Sequence, residues 1–579
     1  MNITLNKHLC LVSVLMVMFQ ADNLLAQNKQ SRSQDTIDTQ VVTIVKPYTP
    51  KISDAFKLKQ VPSMGSSETP QKLVKYTIFS IPVASTFTPA KGTSVSLDKL
   101  KKEKLFQNYA SLGYGNYGTI LGNVYLNHRL GRGERIGGYI EHHSSQGGID
   151  GLQLEDDFSK NSIQVNYVKS LKTLVWNTDA RFQRQAVNWY GLPFDTMTSL
   201  DSKQVYSTIE LGSDVQFTEG VLKSGEIHLR RFSDAYNSEE YHFTGKTNFQ
   251  FDLLDSPINS TVKVDYLKGN FAKNYNGLDA QNYGNIQFSV APNYQYIQDD
   301  LTVLVGFNAY YVMDSEQNKN DFYIYPNIEA SYAVVNSIVV AYAGIKGDIY
   351  QNTYFDFAKI NPFISPTLEI RPSSTPYNVF VGTKGKLSQT IGYDLKGSFT
   401  REQNKALFRT NSIQNFSTSN NYNQGNSFGV VYDDVDVFNV SGALEIDMSQ
   451  KLNVRLKGDL YKFTSDEEPT AWNLPEFEAS LFLNYQFSDK LAMDVNVFYW
   501  GSRQDTTNFE GLFIPEPIVL NVSLDSFLDA NVHITYEITN QFGVFIKVNN
   551  IANNSYNRWN HYPVQGFQIL GGVSYKFDF

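Results

Sequence analysis

Apolar and polar side chains alternate along most of this chain, from Leu105 to the terminal Phe579. A repeat of two residues is typical of a β-strand that has one apolar and one polar face. The last run is the clearest, because from Phe567 to Phe579 the odd-numbered positions are aromatic, aliphatic or glycine and most even-numbered positions are polar. Similar runs, long enough for the roughly 10 residues that a tilted strand needs to cross a bilayer, recur throughout this region. The pattern therefore predicts an all-β fold.

Two features of these runs favour a transmembrane barrel over a soluble β-sandwich, which would also alternate. The polar faces are uncharged or mixed and contain many glycines, as expected for the wall of a wet lumen. Aromatic side chains gather near strand ends, where membrane interfaces would lie, for example Tyr485, Phe487, Tyr499 and Trp500. In lipid every backbone polar group needs a partner, so such strands must close into an antiparallel barrel.

The connections between the runs alternate in length, and this sets the number of strands. Short turns such as Asn336-Ser337 and Thr539-Asn540 alternate with long loops, as in barrels with short periplasmic turns and long outer loops. Keeping the short turns on one side gives about 22 strands. This number requires residues 362–371 to belong to an outer-loop hairpin. It also requires residues 426–448 to form one long strand kinked at Asp433-Asp434.

The first 104 residues follow a different pattern. Residues 1–26 have the features of a secretory signal peptide, with an apolar run from Leu9 to Phe19 and Leu24-Leu25-Ala26 before the expected cleavage site. Residues 27–104 begin polar and are then broken by prolines, so they predict an extended periplasmic or lumenal segment with no core of its own. The barrel is expected to occupy residues 105–579.

Composition narrows the classes of function. A chain of 579 residues could hold several soluble domains, but 36 Tyr and 39 Phe suit a lipid-facing sheet better. The formal charge of −9 argues against a nucleic-acid partner. The single cysteine, Cys10, lies in the expected signal peptide, so we expect neither disulfides nor a multi-cysteine metal site. The sequence has no His-x-x-x-His pair and no EF-hand spacing, and we predict no metal and no cofactor.

One pair of residues has the composition of a hydrolytic site. His142 and Ser144 are two apart on an early strand, Arg135 to Ser145, and share a face with Ile136 and Ile140. A histidine and a serine so placed on the lipid-facing rim resemble the arrangement in outer-membrane phospholipases, where the histidine acts as base on the serine. Those barrels are much shorter, and the sequence identifies no third group to orient the histidine. We therefore predict that the chain is not an enzyme.

The C-terminal region resembles the end of TonB-dependent outer-membrane receptors. The stretch from Val548 to Trp559 is rich in asparagine, Tyr562-Pro563 and Gly566 follow, and the final strand ends on Phe579. The family has an Asn-rich turn after the penultimate strand, a Tyr-Pro approach to the last strand and a terminal phenylalanine. The resemblance implies a barrel of about 22 strands in a Gram-negative cell outer membrane that moves a scarce nutrient inward, driven by TonB. It also implies a plug, for which residues 27–104 are too short, so we expect the plug to be absent or reduced.

Two short segments have expected partners. An extended β-branched segment near the mature N-terminus resembles a Ton box and suits strand addition to the sheet edge of TonB or another periplasmic protein. It comprises Thr39, Gln40, Val41, Val42, Thr43, Ile44 and Val45. A plain β-prone tether is the alternative. At the other end, Tyr575, Phe577 and Phe579 resemble the signal by which the barrel-assembly machinery recognises its clients. A simple strand in contact with outer-membrane lipid predicts the same three residues.

Three functions are compatible with the sequence. In the first, the barrel transports or binds a ligand captured by four long loops, residues 190–205, 274–283, 412–426 and 503–518. In the second, it is a scaffold or assembly partner whose lumen is occupied by residues 48–104 or by another protein. In the third it is a passive channel, which is disfavoured because natural barrels of this size are plugged. The loops do not name a substrate, since Tyr, Asn, Gln and Ser suit sugars, peptides and chelates alike.

Overall fold

The computed structural model describes residues 106–579, apart from residues 194–199, 254–255, 276–278, 317–318, 336, 415–420, 450 and 512–513. The predicted signal peptide, the N-terminal segment and the Ton-box-like residues Thr39 to Val45 lie outside the described residues. Among those described, no helix is long and apolar enough to cross a membrane.

The described chain forms one antiparallel sheet of 22 strands, with further short strands and a helix in the loops. The elements up to the helix are β1 (Asn108–Gly115), β2 (Ile120–Gly131), β3 (Glu134–Ser145), β4 (Phe158–Ser170), β5 (Leu174–Asn188), β6 (Lys203–Phe217), β7 (Leu222–Ser233), β8 (Glu239–Leu253), β9 (Ser256–Phe271), β10 (Gln281–Gln298), β11 (Leu301–Asp314), β12 (Lys319–Val335), β13 (Val339–Tyr350) and α1 (Tyr354–Ile360). After it come β14 (Ser373–Ser388), β15 (Ile391–Thr410), β16 (Ile413–Gln414), β17 (Phe428–Ser449), β18 (Leu452–Ser465), β19 (Phe477–Ser488), β20 (Leu491–Trp500), β21 (Arg503–Gly511), β22 (Ile514–Leu524), β23 (Phe527–Glu537), β24 (Phe542–Asn549), β25 (Asn557–Trp559), β26 (Tyr562–Pro563) and β27 (Gln568–Phe577).

The sheet closes into a barrel because its first and last strands pair. β1 and β27 run antiparallel, from Asn108 opposite Phe577 to Gly115 opposite Leu570. Five short strands in the loops are not part of this ring. They form a three-stranded sheet of β16, β21 and β22 and a two-stranded sheet of β25 and β26. The predicted all-β antiparallel barrel of about 22 strands is confirmed.

The two faces of the wall differ as the alternation predicted. On β6, Ile209 and Leu211 face outward and are 44% and 49% exposed, whereas Tyr206 and Thr208 face the lumen and are buried. Other strands expose apolar side chains on the same outer face, among them Ile163, Val165, Ile227, Leu229, Phe322, Ile324, Val379, Val381 and Val573. An apolar outer surface this continuous suits lipid as its solvent and would be costly in water.

The two ends of the barrel differ in their connections. One end has tight turns such as Arg132-Gly133 and Asp299-Asp300, and we call it the short-turn end. The other end, which we call the long-loop end, has connections such as residues 351–372 and 501–526. The functional residues described below lie at the long-loop end.

Two predictions about this end have different outcomes. The single long strand is confirmed as β17, but the irregularity lies on the facing strand β15, where the register shifts between Glu402 and Lys405. Asn404 between them adopts a left-handed backbone with φ of 49°, which asparagine tolerates better than most residues. The outer-loop hairpin over residues 362–371 is wrong. These residues follow α1 as an irregular segment with a single bridge from Ile364 to Phe428, since their apolar side chains pack inward.

Candidate functional site

A cluster of buried apolar side chains lies on the inner side of the barrel at the long-loop end. We call it the mouth cluster, and it comprises Val187, Tyr206, Phe232, Leu267, Phe271, Tyr283, Tyr354, Phe357, Ala358, Ile364, Leu368, Ile370, Phe408, Phe428, Trp559 and Tyr562. Its members come from strand ends on different parts of the wall, from the loop of residues 351–372 and from the last loop. All of them are buried, so a packed core lies inside the opening of the barrel.

Helix α1 links two parts of this cluster. The Tyr354 ring makes edge contacts with Phe232 on β7 and Phe271 on β9, with ring centroids 5.1 and 4.9 Å away. One turn later, Phe357 contacts Phe408 on β15, with ring centroids 5.6 Å apart. β9 and β15 are separated by five strands of the wall, so the helix extends across the lumen between them.

The buried carboxylate of Glu240 holds the N-terminus of α1. Glu240 lies on the lumenal face of β8 and is 0% exposed. Its oxygens accept hydrogen bonds from the backbone N–H groups of Tyr354 at 2.6 Å and Phe355 at 3.2 Å. The Tyr283 hydroxyl donates a third bond at 2.9 Å. The first N–H groups of a helix have no partner within the helix and attract negative charge, so Glu240 satisfies both requirements.

Two neighbouring side chains extend this anchor. Arg230 lies 3.8 Å from Glu240, donates to the Thr353 hydroxyl at 3.1 Å, and places its guanidinium 4.0 Å from the centre of the Phe355 ring. The Tyr354 hydroxyl donates to Asp234 at 2.8 Å. Burial raises the pKa of Asp234 above its usual value. The start of α1 is therefore fixed by charged groups from the ends of β7 and β8.

The last loop packs on the other side of the loop that carries α1. The Tyr562 ring stacks on Phe363 with centroids 3.7 Å apart, and its hydroxyl donates to the Asn426 carbonyl at 2.5 Å. The Tyr190 hydroxyl donates to the Pro563 carbonyl at 3.0 Å. Loops from four parts of the chain thus meet at one place.

The loop hairpin of β21 and β22 supports the last loop. The buried guanidinium of Arg503 donates to the carbonyls of Asn557 at 2.8 Å and Arg558 at 2.7 Å. Asp505 accepts from the Thr410 backbone at 3.0 Å and the Thr410 hydroxyl at 2.8 Å. Burial lowers the pKa of Arg503 to about 10 and raises the pKa of Asp505. The hairpin therefore ties the last loop to the end of β15.

Described parts of the loops that were predicted to capture a ligand lie close together, and Ile413 pairs with Phe509 of the loop of residues 503–518. Tyr275 donates to the Ser412 carbonyl at 2.6 Å, and Asn426 donates to the Trp189 carbonyl at 3.3 Å. Sequence reasoning missed α1 as a component of the mouth. The closely spaced aromatic residues at 354, 355 and 357 were the available signal, since an exposed loop has no need of them.

The remaining sequence predictions fall elsewhere. Tyr575 and Phe577 lie on β27 with stacked rings 5.8 Å apart, and Tyr575 and Phe579 are exposed. Trp500 was predicted to lie in an outward aromatic girdle, and this prediction is wrong. Its side chain is on the same face of the sheet as its cross-strand partner Phe527, which is buried on the inner side. No group of three or more His, Cys, Asp or Glu that could hold a metal is found among the described residues.

Comparison with known proteins identifies the fold of the barrel. No protein-family model and no curated protein sequence matches this chain. The pyoverdine outer membrane receptor FpvA of Pseudomonas aeruginosa is 13% identical, with a TM-score of 0.59 over 83% of this chain and 80% of that chain. The FrpB iron transporter of Neisseria meningitidis is 10% identical, with a TM-score of 0.62 over 82% of each chain. The ferric-catecholate import receptor Fiu of E. coli K12 is 11% identical, with a TM-score of 0.57 over 82% of each chain. The chain described here therefore has the barrel fold of these outer-membrane receptors.

Proposed function

We propose that this chain is a TonB-dependent receptor that binds a scarce nutrient at the long-loop end and passes it through the lumen to the periplasm. The mouth cluster is the observation that carries this proposal. A mouth packed with a folded loop, whose short helix is held by one buried carboxylate, suits a pore that opens on demand. A passive channel would need a mouth that is open to solvent.

The proposed location follows from the outer face and from the two ends of the chain. The apolar outer wall contacts outer-membrane lipid, and the long loops face the cell exterior. Residues 1–26 direct export, and the barrel-assembly machinery recognises the last strand through Tyr575, Phe577 and Phe579. The work of such a receptor needs no covalent step, so uptake itself requires no catalytic residue.

The ligand class to test first comes from the similar structures. These include proteins described as a pyoverdine receptor, a ferric-catecholate import receptor and an iron transporter. We propose that ferric chelates are the first candidates for this chain, with oligosaccharides and peptides as the other classes that its loops suit.

The energy for uptake would come through the N-terminal segment. Deleting residues 39–45 should abolish energised uptake while leaving the barrel in the membrane, because this segment is the proposed strand for TonB. Deleting residues 28–34 removes the same length of polar chain and is the matched control. Uptake of radiolabelled ferric chelates, oligosaccharides and peptides by whole cells is the measurement. The proposal would be contradicted if the wild type takes up a compound and the variant that lacks residues 39–45 takes it up equally well.

A scaffold with an occluded lumen is the second candidate, because the same packed mouth would also serve a barrel that never opens. The two candidates differ in one respect. A scaffold would copurify with a stoichiometric protein partner and would show no uptake that depends on residues 39–45.

A further inference from the structure

We propose that His142, Ser144 and Asn161 form a hydrolytic triad on the outer face of the barrel that cleaves acyl esters of membrane phospholipids. This activity goes beyond uptake and departs from the prediction that the chain is not an enzyme, which rested on the missing third group. It rests on the proposed function only in requiring that the barrel lies in a membrane.

The three side chains have the hydrogen bonds that a nucleophile, a base and an orienting group need. The Ser144 Oγ lies 3.0 Å from His142 Nε2, and the Asn161 Oδ1 lies 2.7 Å from His142 Nδ1. An amide oxygen can only accept, so Nδ1 carries the imidazole proton. Nε2 is then free to accept the serine proton, which is the arrangement required for nucleophilic catalysis.

Register explains why the third member was not evident from the sequence. Asn161 lies on β4 directly opposite His142 on β3, 19 positions further along the chain. Cross-strand neighbours place their Cβ atoms about 5 Å apart, close enough for an amide to reach an imidazole. Strand pairing therefore supplies the orienting group that sequence spacing alone does not identify.

The triad lies on the outer face of the barrel, close to the long-loop end. Ile140 and Ile163 occupy the adjacent positions of the same face and are 45% and 51% exposed. Ser144 is one residue from the long-loop end of β3. A lipid packed against this wall would have its acyl chains beside the isoleucines and its ester groups near Ser144.

A notch beside His142 leaves room for a substrate. Gly122 lies opposite His142 on β2, and a methyl group added there would meet only Leu112, at 3.8 Å. Leu112 and Ile120 are exposed, and Ile120 lies opposite Ser144. The space beside the imidazole is therefore open and bordered by apolar side chains, as an acyl chain requires.

Two further residues suit the polar parts of a phospholipid. Arg184 lies opposite Asn161 on β5 and is exposed, so its guanidinium can pair with a phosphate. Ser159 lies opposite Ser144 on β4 and places a second hydroxyl beside the nucleophile. That hydroxyl can donate to the oxygen of the ester carbonyl as negative charge develops on it.

The reaction proceeds in two balanced steps. The Ser144 Oγ attacks the ester carbonyl carbon while His142 Nε2 takes its proton, and the bond to the leaving alcohol breaks as the alcohol receives that proton. Water then attacks the acyl-serine, His142 takes a proton from the water and returns it to Ser144, and a free fatty acid leaves. Asn161 keeps the imidazole in the tautomer that accepts from Ser144.

The test uses the purified full-length barrel in phosphatidylglycerol vesicles. Release of fatty acid is measured by mass spectrometry, and labelling of the serine by a fluorophosphonate probe gives an independent readout. Ser144→Ala and His142→Ala should reduce hydrolysis to the level of protein-free vesicles, and Ser144→Ala should also abolish labelling. Asn161→Ala should slow both reactions by at least about tenfold. Heat-modifiable migration in gels shows that each variant is folded.

Ser213→Ala is the matched control. Ser213 also faces outward, but it is hydrogen-bonded to Trp176 and Thr178 rather than to an imidazole, so its loss should leave hydrolysis unchanged. The proposal is overturned if the folded wild-type barrel neither releases fatty acid nor reacts with the probe. It is also overturned if hydrolysis persists in Ser144→Ala. Uptake by Ser144→Ala cells should equal that of the wild type, which separates this proposal from the transport function.

Discussion

At the scale of single residues, the closed mouth depends on charged groups buried among aromatic rings. Glu240 is the clearest case, because it accepts from two helix N–H groups and a tyrosine hydroxyl and lies beside Arg230. The alternation along β8 predicts that Glu240 faces the lumen. It cannot predict the partner, since Tyr354 is more than a hundred residues away in the chain.

Replacing this carboxylate should loosen the mouth without unfolding the barrel. Glu240→Ala leaves two buried N–H groups without an acceptor and Arg230 without its counter-charge, a cost of about 3–5 kcal/mol to the closed state. Hydrogen exchange of the amides of residues 353–360 should become much faster. Glu239→Ala is the control, because Glu239 is partly exposed and pairs with Arg231, so the exchange rates should hardly change. Unchanged protection in Glu240→Ala would show that this carboxylate does not hold α1.

The last loop should respond to pH through His561. Burial lowers the pKa of His561, and its Nε2 lies 3.3 Å from the Thr507 hydroxyl. Because the pKa of His561 is lower in the folded loop than the value of about 6.5 in an unfolded chain, the unfolded loop binds the proton more readily. The folded loop is therefore most stable above about pH 6.5 and loses stability as the pH falls below that value. Asp234 and Asp505 have raised pKa values, so a fall in pH stabilises the fold through them. Both residues are present in the wild type and in the variant, so their effect cancels in the comparison.

His561→Asn isolates this contribution. Asparagine tolerates the left-handed backbone at this position, where φ is 64°, and it does not titrate. Between pH 7.5 and about 5, protection factors of residues 556–563 should fall further in the wild type than in the variant. Parallel pH profiles for the two proteins would rule out His561 as the titrating group.

At the scale of elements, the strands could be predicted and the helix could not. Strands have a repeat that extends over many residues, and the parity of short turns and long loops constrains their number. α1 has only seven residues, so it is too short to be stable alone and depends on its packing in the mouth. Residues 362–371 have no repeat of their own either, because their apolar side chains pack into the mouth cluster, so the sequence does not distinguish them from a hairpin. The contact between Asn161 and His142 depends on the register of β3 and β4, which the sequence alone does not fix.

Because packing stabilises α1, removing one buried ring should release it. Phe357 is 3% exposed and contacts Phe408, so Phe357→Ala should cost the closed mouth about 3–5 kcal/mol. Hydrogen exchange of α1 should approach that of an unfolded segment, while the barrel strands keep their protection. Ile360→Ala in the same helix is the control, since Ile360 is 38% exposed and its loss should have little effect. A helix that stays protected in Phe357→Ala would show that the core of the mouth does not depend on this contact.

At the scale of the whole molecule, a closed wall surrounds a mouth in which the loop of residues 351–372 packs against strand ends from different parts of the wall. Pairing of β1 with β27 leaves the ring without a free edge, so the wall is rigid compared with the connections at its long-loop end. Opening therefore has to come from the loops. The segment of residues 351–372 carries α1, which contacts both β9 and β15 on the lumenal side, and we expect this segment to move when a ligand enters.

A reversible disulfide between this segment and β17 tests whether the segment moves during uptake. Ile364 and Phe428 form a bridge in which Ser365 N donates to Phe428 O at 2.8 Å and Phe428 N donates to Phe363 O at 3.0 Å. Adjacent backbones of this kind are close enough for a disulfide, and Cys10 lies in the predicted signal peptide. In cells that carry Ile364→Cys with Phe428→Cys, oxidation should stop uptake of the radiolabelled compound that the wild type transports, and reduction should restore it. Each single variant should be insensitive to oxidation. Equal uptake by the oxidised and reduced double variant would show that uptake does not require this segment to move.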